Sequence, residues 1–157
     1  MKHGSLTYKY IKQRNGRGKY GGVTIEIIRT NRQAFVTDAC EWETFKGAYP
    51  AFVESDILKL WKQSAINTAS EAINSFSFLN NVEIILRDIM GLYTDTCPSH
   101  IGAAMMIAVF DYCESPLDQK NLLLLDEFVE RNDKTDIIPD FTQLPLAGYK
   151  NHSIKNG

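Results

Sequence analysis

Cysteine is scarce and unpatterned in this chain. Cys40, Cys97 and Cys113 are its three, spread over 157 residues. An odd number without conserved-looking spacing gives no disulfide framework, so a reducing, cytoplasmic compartment is the default expectation. Nor does any C-x-x-C pair exist to start a zinc site. Cys97 and His100 are the one compact Cys/His pair, and two ligands fall short of the four of a structural zinc; no metal and no cofactor are expected. No apolar run reaches the roughly 18 residues of a membrane span. The N-terminus carries cations but no apolar core of a signal peptide, so none is expected. The sequence also lacks G-x-x-x-x-G-K-[ST], which excludes a P-loop nucleotide site. V-A-I-K, H-R-D and D-F-G are absent too, which excludes a protein kinase.

Acid is the scarcest thing near the N-terminus. Residues 1–32 hold eight Lys/Arg and a single acid, Glu26, a local charge of +7; the other 125 residues sum to −9, which leaves a net charge of −2. Such asymmetry suggests one face made for a polyanion. The basic segment centres on Lys12-Gln13-Arg14-Asn15-Gly16-Arg17-Gly18-Lys19-Tyr20-Gly21-Gly22. Glycine density suggests a turn in which a ligand could approach the main chain closely. Strand-like stretches flank it, Leu6 to Gln13 and Val23 to Ile28, so the unit reads as a β-hairpin with a basic tip. Gly16, Gly18 and Gly21 also spell G-x-G-x-x-G, but a dinucleotide fold needs a helix after that motif, and here a strand pattern follows.

Further on, Ala34 to Ala39 is a third short strand, and three strands in a row suggest an antiparallel meander. Between Phe52 and Phe76, Ile57, Trp61, Ala65, Ala69, Ala72 and Ile73 recur at helical steps. Val82 to Met90 is a fourth strand. Cys97-Pro98-Ser99 carries helix-start signals before Ile101 to Cys113, a helix apolar nearly all round and therefore expected to be deeply buried. Leu122 to Val129 fits a third helix or an added strand, and the chain beyond Asn132 reads as a polar, loose or wrapping tail. The expected division is a domain over 1–116 and a C-terminal extension over 117–157. The fold class is α+β, a two-layer sandwich of four strands with two helices on one face.

The stretch from Lys12 to Ile27 resembles the start of domain IV of elongation factor G, the ribosomal translocase. That family's pattern is K-Q-[ST]-G-G-R-G-Q-[YF]-G followed by a strand. Gln13, Gly16, Arg17, Gly18, Tyr20 and Gly21 match it, while Arg14, Asn15 and Lys19 depart from it. Val82 to Ala108 is similar to the family's strand, tyrosine and alanine-rich helix, with Tyr93 at the tyrosine, Thr94 where the family has histidine, and Ala103, Ala104 and Ala108 on the helix. The resemblance covers residues 5–115. It implies the order β-β-β-α-β-α, a fold shared with a small-subunit ribosomal protein domain, and a ribosome or structured RNA as partner. Lys12, Gln13, Arg14, Asn15, Gly16, Arg17, Gly18, Lys19 and Tyr20 would then form the nucleic-acid surface, with Arg14, Arg17 and Lys19 neutralising phosphates. The family's segment before the first helix is replaced by Glu41-Trp42-Glu43-Thr44-Phe45, and the acidic remainder over 33–157 allows a second reading, a protein-interaction or structural module that kept the fold and lost the RNA surface, with an exposed apolar patch near Trp42, Phe45 and Tyr49. A third reading is a small enzyme built on Cys97 and His100, where a helix N-terminus would favour the thiolate.

Overall fold

The computed structural model describes residues 1–14, 17–40 and 55–146, with the backbone alone at Arg14, Arg17 and Ser55. Glu41, Trp42, Glu43, Phe45 and Tyr49, together with Asn15 and Gly16, lie outside the described residues. In chain order the elements are β1 (Leu6–Arg14), β2 (Arg17–Arg29), β3 (Phe35–Asp38), α1 (Ser55–Ser75), β4 (Val82–Met90), α2 (Pro98–Tyr112) and α3 (Gln119–Arg131). The architecture is α+β: one mixed four-stranded sheet in the order β1-β2-β4-β3, with helices packed on it as a second layer.

The expected meander does not form. Strand β3 pairs with β4 in parallel at the far edge of the sheet, and β4 lies between β3 and β2. The reason is the 21-residue helix α1 between β3 and β4. A helix returns the chain to the end from which it left, so the strands on either side of it run parallel, the crossover unit of mixed sheets. Composition selects which strand becomes central. Val82, Ile84, Ile85, Leu86 and Ile89 of β4 are all buried, whereas β3 has four residues and none of them is buried.

Helix α1 follows its periodicity: Leu58, Trp61, Ala65, Ala69 and Ala72 form the buried stripe. It packs along α2, and both helices contact the sheet. Small residues let α2 fit between these surfaces. Ala103, Ala104 and Ala108 are fully buried, and a Cβ on Gly102 would lie 2.3 Å from the Phe141 ring. Residues 117–146 join this same core. Leu125, Phe128 and Val129 of α3 are buried, and so are Phe141 and Leu144 of the stretch that wraps back across α1 and α2.

Among the described residues, Gly18, Gly21 and Gly22 lie in strand. The β1–β2 ladder continues through Lys12↔Lys19 and Gln13↔Gly18 to Arg14↔Arg17. Two of its glycines are explained by neighbours within the chain, not by an outside ligand. A Cβ on Gly21 would lie 2.7 Å from the His100 carbonyl carbon, so the first turn of α2 sits directly on the strand backbone there. A Cβ on Gly22 would meet the Met90 side-chain tip at 2.9 Å. Backbone cannot yield as a flexible side chain can. Gly21→Ala is therefore expected to destabilise the protein by about 1–3 kcal/mol and Gly22→Ala by clearly less. Urea unfolding midpoints of the two variants check this order.

Candidate functional site

Residues of β1 alternate between two faces. Tyr10 and Lys12 point to the helix side, whereas Thr7, Lys9 and Ile11 on the other side are exposed. The register of the hairpin then sets cation against cation, Lys12 opposite Lys19 and Arg14 opposite Arg17. Like charges directly opposite one another on a ladder repel. For the inner pair, acids of α3 and of the residues just after it relieve this repulsion. Lys12 lies 3.4 Å from Asp126, and Lys19 lies 3.0 Å from Glu130 and 3.1 Å from Asp133. Lys19 is only 8% exposed. Burial by itself would lower its pKa, but the hydrogen bonds to Glu130 and Asp133 outweigh that and raise it, so the ammonium stays charged. A cleft of about 200 Å³ lies here, lined by Tyr10, Lys12, Gln13, Lys19, Asp126 and Glu130.

The residues named from the sequence thus separate. Lys12 and Lys19 face α3, and the exposed Gln13 lines the same cleft. Tyr20 is half-buried, with its carbonyl accepting from the Thr96 hydroxyl at 2.6 Å. Gly18 lies beside the Asp95 carboxylate, which a Cβ would meet at 3.3 Å.

Cys97 and His100 do come together, and they meet a third group at which spacing does not hint. The Cys97 backbone N–H donates to His100 Nδ1 at 3.0 Å, a reciprocal contact at the N-terminus of α2. Because Nδ1 accepts there, hydrogen-bond logic places the proton of the neutral ring on Nε2. That N–H then donates to Asp133 Oδ1 at 3.2 Å, and the Cys97 thiol donates to the same oxygen, also at 3.2 Å. The Tyr10 ring stacks on His100 with centroids 6.3 Å apart.

This arrangement differs from what either catalytic or metal chemistry needs. A thiol activated by histidine donates to a ring nitrogen, whereas Cys97 donates to the carboxylate. The donor atoms of Cys97, His100 and Asp133 all lie within 4.8 Å of one another, a compact group for a metal ion. A metal, however, needs an imidazole lone pair, and Nδ1 spends its lone pair on the Cys97 N–H while Nε2 carries the proton. The cluster is best described as a buried hydrogen-bonding hub that ties β2, the start of α2 and the end of α3 together.

Charge states follow from these contacts. Burial holds the His100 pKa below its ordinary value of 6.5, against the pull of Asp133. Burial alone would raise Asp133, but the Cys97 and Lys19 hydrogen bonds hold it below the usual carboxylate range. As pH falls below about 6.5, the unfolded chain takes up a proton on His100 before the folded chain does. Stability from this group is therefore complete above that pH and declines below it; Asp133 adds a second loss at lower pH, under its ordinary value of 3.8. His100→Asn keeps an acceptor for the Cys97 N–H. It is expected to cost about 1–3 kcal/mol at neutral pH and to flatten the dependence just below pH 6.5. Chemical denaturation of both proteins across that range checks it.

Comparison with known protein families returns no match, and none of the curated proteins matches either. Among solved structures, the fold is similar to a crystal structure of a protein from Thermus thermophilus, at 11% identity and a TM-score of 0.49. The match covers 97% of this chain and 29% of that one, so the chain spans less than a third of that protein's length.

Proposed function

We propose that this chain is a non-enzymatic, RNA- or ribosome-associated module, built in the manner of domain IV of elongation factor G. It contacts phosphates through the end of the β1–β2 hairpin. The observation that carries the reading is the register. The ladder pairs Lys12 with Lys19 and, two positions on, Arg14 with Arg17, and the acids of the α3 side meet the lysine pair. The next pair, Arg14↔Arg17, ends the described ladder. Phosphate would relieve the repulsion between two arginines placed across from each other, and arginine binds it in bidentate fashion. Relative to the sequence expectation, the weight moves from Lys19 to the arginine pair.

A protein-interaction role is the second reading. Ile11 is 60% exposed on the sheet face opposite the helices. An apolar partner would bind there with little sensitivity to salt.

The test is binding of the purified protein to ribosomes and to a labelled structured RNA at about 50 and 200 mM salt. Arg14→Ala/Arg17→Ala is expected to lose at least about ten-fold in affinity at the lower salt and to reduce the slope of log affinity on log salt by about 1–2. Wild-type protein that binds neither at low salt would remove the RNA reading. Salt-insensitive binding abolished by Ile11→Ser would replace it with the second.

A further inference from the structure

We infer that the acidic side of α3 acts as a built-in polyanion: Asp126 and Glu130 occupy the lower cations of the hairpin and so limit how much RNA backbone the hairpin can hold. The inference rests on the hairpin being the phosphate-contacting element, and it concerns the control of that contact.

Placement is the first support. Asp126 and Glu130 are four residues apart on α3, hence on one side of the helix and about 6 Å apart along its axis. That side faces the β1–β2 ladder, and each carboxylate reaches a different lysine of the same rung. Attachment is the second. Helix α3 is not held to the hairpin by these charges alone, because Leu125, Phe128 and Val129 anchor it in the core and the Phe128 ring packs on Phe141 at 4.8 Å. The acids are thus presented by a fixed scaffold rather than by a strap that RNA could push away. The geometry of the contact is the third. Between the helix and the ladder the walls form a cleft rather than a packed interface, with the two carboxylates on one side and Lys12 and Lys19 on the other. Lys12 is 49% exposed, so the Asp126 carboxylate screens a cation that an approaching phosphate would otherwise meet, and Glu130, itself 53% exposed, adds negative charge beside it.

Two roles divide among the acids. Asp133 belongs to the buried hub with Cys97 and His100, and its removal would disturb folding. Asp126 and Glu130 are open to neutralisation without that penalty. An Asn at 126 retains an acceptor for the Tyr10 hydroxyl, which now donates to Asp126 at 2.9 Å, and with Gln at 130 Lys19 keeps its bond to Asp133.

The experiment titrates a labelled structured RNA into four full-length proteins and compares salt slopes: wild type, Asp126→Asn/Glu130→Gln, the same pair with Lys12→Met added, and Glu127→Gln. Glu127 is an exposed acid of the same helix with no ion pair to the hairpin among the described residues. The double variant is expected to bind about ten-fold tighter at low salt, with a slope steeper by about 1–2. Adding Lys12→Met should cancel much of that gain, and Glu127→Gln should stay within about two-fold of wild type, which separates a local effect from a change in net charge. Equal affinity and slope for wild type and the double variant would overturn the inference while leaving the arginine contact in place. A gain that Glu127→Gln reproduces would overturn it as well, as would RNA binding by none of the four proteins, which would also remove the reading beneath it. Thermal melting of each variant confirms that it is folded before binding is compared.

Discussion

One carboxylate holds three parts of this molecule in register. Asp133 follows the end of α3, yet its two oxygens take the Lys19 ammonium from β2, the His100 imidazole from the first turn of α2 and the Cys97 thiol that precedes that turn. Each of these donors is buried or nearly so. A buried donor left without a partner costs more than a made bond contributes. Removing the carboxylate would therefore take one partner from all three at once, leaving Lys19 with Glu130, and the hairpin, α2 and α3 would lose their common reference point. The close seat of α2 on Gly21 depends on the same arrangement, because His100 is both the residue whose backbone touches the strand and the residue whose ring is tied to Asp133.

The charge asymmetry of the sequence looks different once folded. Read linearly, a basic N-terminal segment precedes an acidic remainder. In space, part of that remainder returns to the basic ladder, and the lysine rung is compensated internally. Under the proposed function the hairpin is then a graded column of charge, neutralised near the body of the protein by α3 and offered to phosphate toward its end. A surface of this kind would bind with a few phosphates rather than many, which favours reversible contact over tight retention.

Local features of the fold are legible in the sequence, and long-range ones are not. Strand β1 and helices α1 and α2 announce themselves through periodicity and through Pro98 at the helix start. Helix α3 is ambiguous because a run as short as Leu122 to Val129 fits either state. The deciding signal is Asp118, whose carboxylate caps the helix by accepting from the Asn121 N–H, and that signal lies outside the apolar run. Gly18, Gly21 and Gly22 suggest a flexible turn because their reasons lie elsewhere in the chain, in Asp95, His100 and Met90. Sheet order is hidden for a similar cause: adjacency in sequence suggests a meander, although a long helix between β3 and β4 already requires a parallel pair. In the candidate site, Cys97 and His100 can be paired by spacing. Asp133 stands 33 residues beyond His100 in what reads as a polar tail, and nothing local marks it.

The position of β4 has a consequence for how the chain assembles. β1 and β2 are neighbours in sequence and can zip as a local hairpin as soon as residue 29 is available. The inner edges of β2 and β3, by contrast, have no partner until Val82–Met90 arrives between them. During synthesis the β2 edge, with Val23, Ile25 and Ile27 on it, stays open while more than fifty further residues are made. Open edges of this composition are templates for pairing with other chains. The hairpin is thus early and autonomous, the sheet is late and cooperative, and the interval between them is when the nascent protein most needs protection from its own copies.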